Sequence, residues 1–148
     1  MKPFALGTVL KYRKQLEDAA HQELRRALQA EARLLETLQR VQTDLSDLYA
    51  GLNRDHVQGT TADQLLLYEH CLALVREQEQ RRLKDVARQR QQVEQKRQLL
   101  VKTSTDRKIL EKLSEQQNSA YRQYLDRKET KMLDEIATLS RERREGGQ

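Results

Sequence analysis

Apolar residues recur three and four apart along most of this chain. In the first third, one ladder reads Leu10, Glu17, Leu24, Glu31, Leu38, Leu45, Leu52, and its companion reads Leu6, Arg13, Ala20, Ala27, Leu34, Val41, Leu48. Only Arg13, Glu17 and Glu31 interrupt the pattern. Spacing of this kind, sustained over many turns, is the coiled-coil pattern and predicts a helix over about residues 4–52. At about 1.5 Å per residue that helix is roughly 70–75 Å long. A second ladder opens with Leu65, Tyr68, Leu72 and Val75 and predicts a helix over about 62–142, followed by a charged, fraying tail at 143–148. Between the two lies the polar stretch Asn53–Asp63. Gly51 and Asn53 are expected to stop the first helix, Gly59 to turn the chain over about 53–61, and Thr61 with Gln64 to start the second through a capping box. Pro3 is the only proline, so no other residue of that kind breaks a helix. The fold class that follows is all-α: a long two-helix antiparallel coiled-coil hairpin with an overhanging C-terminal helix.

The second ladder is uneven. From Arg76 to Gln98 only Leu83, Val86, Ala87 and Val93 are apolar, which forms helix but packs weakly. Leu99, Leu100 and Val101 restore the apolar face. After Thr103-Ser104-Thr105 the apolar phase shifts to Ile109, Leu110, Leu113, Ala120, Tyr121, Tyr124 and Leu125, and Met132, Leu133, Ile136 and Leu139 continue it. Length then matters. Folding back at the turn sets Leu6 and Leu10 near Val101–Leu110 and leaves Leu113 to Leu139 without an intrachain partner. An apolar stripe of that extent marks an interaction surface.

Composition narrows the class. Of 148 residues 34% are charged, there is no Trp and one Phe, and mean hydropathy is −0.95, too polar for a thick globular core. The net charge is +5. Residues 1–60 carry nine Lys/Arg against eight Asp/Glu and residues 61–148 carry nineteen against fifteen, interspersed throughout, as on a solvated helix surface. A nucleic-acid interface would show a dense basic block with stacking aromatics, and none is present.

Reactive chemistry is equally thin. Cys71 is alone, which fits a reducing compartment. Its neighbour His70 points in another direction on a helix, so the pair cannot form an activated thiolate. His21 and His56 are scattered, without metal-ligand spacing. No phosphate loop, nucleophile elbow or membrane-length apolar window occurs, and the N-terminal apolar run is too short for a signal peptide. The chain reads as a cytoplasmic protein that binds rather than catalyses, with no cofactor and no metal.

The N-terminal stretch Phe4-x-Leu6-x-x-Val9-Leu10-x-Tyr12-Arg13-x-x-x-Glu17-x-x-Ala20 is similar to the opening of the FliJ family of flagellar type III export proteins. Two C-terminal stretches, Arg107-Lys108-Ile109-Leu110-Glu111-Lys112-Leu113 and Arg127-Lys128-Glu129-x-Lys131-x-Leu133-Asp134-Glu135-Ile136-Ala137, resemble its close. The resemblance implies a cytoplasmic component peripherally associated with the inner-membrane export apparatus. It implies binding to a hexameric flagellar export ATPase through the paired chain ends, in the manner of a rotary-ATPase stalk, with promotion of ring assembly. It also implies contacts with the cytoplasmic domain of an export-gate membrane protein and with export chaperones. Carried onto this sequence, the ATPase-facing candidates are Phe4, Leu6, Leu10, Arg13, Leu110, Leu113, Glu129, Lys131, Leu133, Asp134 and Glu135. The gate-facing candidates are Val41, Leu48, Tyr49, Cys71, Leu72 and Val75, near the turn. Alternatives are the equivalent stalk of a virulence type III secretion system, a structural coiled coil that homodimerises through the overhang and, last, a nucleic-acid-binding hairpin.

Overall fold

A computed structural model describes residues 6–146. Two helices account for nearly all of them: α1, Gly7–Gln58, and α2, Ala62–Gly146. The residues divide into two compact units. One is Ala19–Val101; the other joins the residues up to Asp18 to those from Lys102 onward.

In the unit Ala19–Val101 the helices pack antiparallel about a three-residue connection. Gly59 has φ of 92°, the left-handed conformation that closes a helix C-terminus. Thr61 Oγ1 then accepts from the Gln64 amide at 3.2 Å while Gln64 Oε1 accepts from the Thr61 amide at 3.4 Å. This is the reciprocal capping box that the sequence predicts. The first helix does not stop at residue 52, however; it runs six residues further, to Gln58. Gly51 is no terminator. It is a buried slot under the Tyr68 ring, and the Tyr68 hydroxyl donates to Asp55 at 2.6 Å, one turn beyond Gly51. That contact requires 51–55 to stay helical. A Cβ at residue 51 would sit 3.2 Å from the Tyr68 hydroxyl. Gly51→Val is therefore expected to destabilise the unit by about 1–3 kcal/mol, seen as faster amide exchange around Gly51 and Tyr68.

The α1 ladder of the sequence is the observed seam. Ala20, Ala27, Leu38 and Val41 are buried, and Leu24, Leu34, Leu45, Leu48 and Leu52 are half-buried. Across from them Leu72, Val86 and Val93 are buried. Around Val86 and Val93 the seam is one thin layer, because its other α2 positions are polar: Glu79, Gln89 and Lys96 are half-buried. The Gln89 side chain donates to the Ala27 carbonyl at 2.9 Å, which satisfies a polar group that the sequence leaves unexplained.

In the other unit the expected phase shift does not reach the packing. Half-buried positions continue at Thr103, Arg107, Leu110, Ser114, Gln117 and Tyr121, still three and four apart. Ile109 and Leu113 face water, 53% and 46% exposed. The charged α1 positions explain why. Arg13 pairs with Asp106 at 3.6 Å and Glu17 accepts from Arg107, so ion pairs hold a register that the apolar residues alone would abandon. The longer α1 also moves the end of pairing. Lys14 reaches Glu111 at 4.0 Å, and seam positions extend to Tyr121. The overhang thus begins after Tyr121, not at Leu113. The expected fraying at 143 is also displaced: α2 is helical through Gly146, with Arg143 and Arg144 in its last turn complementing the helix dipole.

Candidate interaction surfaces

In the unit that joins the residues up to Asp18 to those from Lys102 onward, a partly buried ionic cluster precedes the exposed arm of α2. Arg107 donates to both Glu17 and, at 2.7 Å, Glu111. The Glu17 carboxylate raises the Arg107 pKa above its ordinary value, mainly by hydrogen bonding, so this guanidinium stays charged. The polar breaks in the α1 ladder are all interhelical partners: Arg13 to Asp106, Glu17 to Arg107, and, in the unit Ala19–Val101, Glu31 to Arg90 at 3.9 Å. Polar residues in such a seam fix which turns face each other, at some cost in stability.

Beyond Tyr121 every described residue is exposed. Leu125, Met132, Ile136 and Leu139 are 44–59% exposed and recur on one helical face. Shallow grooves run beside them, one lined by Tyr124, Arg127, Lys128, Lys131, Met132 and Glu135 and the other by Lys131, Asp134, Glu135, Thr138 and Leu139.

The candidates from sequence fall into three groups. Leu6, Leu10 and Leu110 are half-buried in the seam, and Arg13 is tied to Asp106. Leu113, Glu129, Lys131, Leu133, Asp134 and Glu135 are exposed on α2 and open to a partner. Phe4 lies outside the described residues. Of the candidates near the loop, Val41 and Leu72 are buried, and Leu48, Cys71 and Val75 are half-buried. Tyr49 is more open, but Arg76 donates to its hydroxyl and lies 5.5 Å from its ring centroid. Val41 and Leu72 belong to the hairpin core, and the most open apolar side chains of this region are elsewhere. Leu66, Leu67 and Leu74 are 66%, 63% and 49% exposed, and a groove beside the first two is lined by Asp63, Glu69 and His70. The Leu65-Leu66-Leu67 run carried the missed signal: only one of three consecutive leucines can face a helical seam.

Tyr68 gives this region a pH response. Its hydroxyl bond to Asp55 holds its pKa above the ordinary tyrosine value, with burial and the carboxylate charge adding to the effect. The folded form therefore binds the proton more tightly than the unfolded chain. The stability it contributes is complete below about pH 10 and is lost as pH rises through the folded pKa. Titration of tyrosinate absorbance should show Tyr68 losing its proton late, and Asp55→Asn should bring that step forward.

Among the described residues there is no cluster of metal-ligating groups and no helix long and apolar enough to cross a membrane. The model of the flagellar FliJ protein family matches residues 1–146. No curated protein and no solved structure matches the chain.

Proposed function

We propose that this chain, which belongs to the flagellar FliJ protein family, is a non-enzymatic stalk and escort protein that binds the hexameric flagellar export ATPase. Membership makes it a component of the flagellar protein export apparatus. The ATPase reading rests on one observation above the rest: the helical arm after Tyr121, whose apolar face lies open to water. A helix of about 25 residues gains little stability alone, so an apolar face of this kind is best explained by a partner. The paired ends would enter the ATPase ring and favour its assembly. The apparatus would hold the protein at the inner membrane from the cytoplasmic side.

The opposite end would serve the export gate and the export chaperones. Support comes from the exposed leucines of the α2 face at Leu66, Leu67 and Leu74, outside the seam that consumes Val41 and Leu72. The function requires binding alone, without chemistry, cofactor or nucleic acid.

The test is the ATP turnover of the purified export ATPase, with and without this chain, near the concentration at which its ring forms. Stimulation together with a shift toward hexamer supports the reading. An unchanged rate with a folded, helical chain overturns it.

A further inference from the structure

We propose that the outward face of α2 beside the turn is a docking surface for a basic amphipathic helix of another protein. The inference rests on the reading that this end of the hairpin binds a partner, and it names that partner's chemistry. On the seam side of α2, Leu65, Tyr68, Leu72 and Val75 are buried or half-buried. At about 100° per residue, Leu66, Leu67, His70 and Leu74 centre on the opposite side of the helix, where all four are exposed. The first helix occupies the seam side, so the hairpin itself leaves these leucines uncovered. Asp63, Leu66, Leu67 and His70 stand at i, i+3, i+4 and i+7 and line one groove together with Glu69. That outline receives a knob from a neighbouring helix, as in helix-in-groove recognition.

Charge names the incoming helix. Residues 55–75 carry three Asp/Glu and no Lys or Arg, the longest stretch of the chain without either cation, in a protein whose total is +5. Asp63 lies in the first turn of α2, where the helix dipole favours a carboxylate. Glu69 is two turns in, beyond the reach of that effect, and borders the leucines all the same. The stripe ends after Leu74, where Glu77 is already paired with Arg81 at 2.7 Å. Long cationic side chains, whose stems ordinarily cover exposed leucines, are missing here. The groove on the arm has the opposite sign: Arg127, Lys128 and Lys131 line it with a single carboxylate, Glu135. Two apolar surfaces of opposite charge select different partners, and a basic helix suited to the turn is disfavoured at the arm. Leucines of the incoming helix would pack between Leu66, Leu67 and Leu74, with its lysines or arginines beside Asp63 and Glu69.

The test uses the full chain and two labelled synthetic helical peptides, followed by fluorescence anisotropy. Both carry leucine at the a and d positions of the heptad; one has lysine at e and g, the other glutamate. A chain of net charge +5 attracts the glutamate peptide non-specifically, so only a local acidic site favours the lysine one. The lysine peptide is expected to bind about tenfold more tightly, with the difference narrowing at high salt. Carbodiimide coupling should join its lysines to Asp63 or Glu69. Asp63→Asn combined with Glu69→Lys should remove the preference, and Leu67→Ser should weaken binding about tenfold, both with helix content unchanged by circular dichroism. Equal affinities, a preference for glutamate, or cross-links confined to other carboxylates overturn the proposal. So does a chain that sediments alone as a dimer and that Leu67→Asp returns to monomer, because a second copy then covers the face. Binding lost in Leu67→Ser but unchanged in the double variant overturns the basic partner and leaves the docking reading of this end intact. ATPase stimulation, which the arm carries, is a separate readout.

Discussion

Leu133→Asp is expected to abolish stimulation of the export ATPase, and cutting the chain after Ser114 to do the same, while the unit Ala19–Val101 melts unchanged. Leu133 is 60% exposed on the arm, so an aspartate there stays hydrated and costs the free protein little. In a complex it would be buried against the partner, where an unpaired carboxylate is costly: about 3 kcal/mol, or a roughly hundredfold loss of affinity, follows from ordinary desolvation. The truncation removes the whole arm, together with the seam positions Gln117 and Tyr121. Turnover measured against chain concentration separates weakened binding, which higher concentration overcomes, from a lost response, which it does not. Full stimulation by both variants would remove the arm from the mechanism.

The second large effect is on stability. Val93→Asp is expected to cost about 3–5 kcal/mol and to melt the unit Ala19–Val101 well below the parent, read by thermal circular dichroism at neutral pH. Val93 is 4% exposed and is one of only three buried α2 residues. A two-helix layer has no second shell of apolar residues to absorb the change, and a typical domain is stable by only about 5–15 kcal/mol. The contrasting variant is Val101→Asp. This valine is 65% exposed, and the same substitution there should fall within about 0.5 kcal/mol of the parent.

Those two valines also show what could be read from the letters alone. Val93 stands alone in a polar run and is buried, whereas Val101, read with Leu99 and Leu100 as restoring the apolar face, is exposed together with Leu99, and of the three only Leu100 is half-buried. The α1 ladder, the Thr61–Gln64 cap and the continuous helices were legible because local spacing determines them. The end of α1 was not. Gly51 reads as a stop by its type, and its role as a seat for Tyr68 depends on a residue across the loop. The register between Leu100 and Tyr121 was hidden for a similar reason. There the sequence shows an apolar phase at Ile109 and Leu113, and the packing follows Arg107 because Glu17 waits ninety residues away. Of the site, the arm was legible from helix lengths, displaced by about two turns once the longer α1 was known. The seam positions near the loop were legible as apolar, but which leucines remain open was not, since that requires knowing which side of each helix its neighbour occupies.

The three-residue connection has a kinetic consequence. Partners nearest it, Asp55 and Tyr68, are 13 residues apart, whereas Glu17 and Arg107 are 90 apart. The entropy of closing a loop grows with its length, so contacts beside the turn form on the first closure and each later pair closes a loop already shortened by those before it. The chain therefore zips outward from Gly59. The Glu17–Arg107 pairing forms late on folding and opens early under load, which makes the end proposed to bind the ATPase the most easily remodelled part of the hairpin.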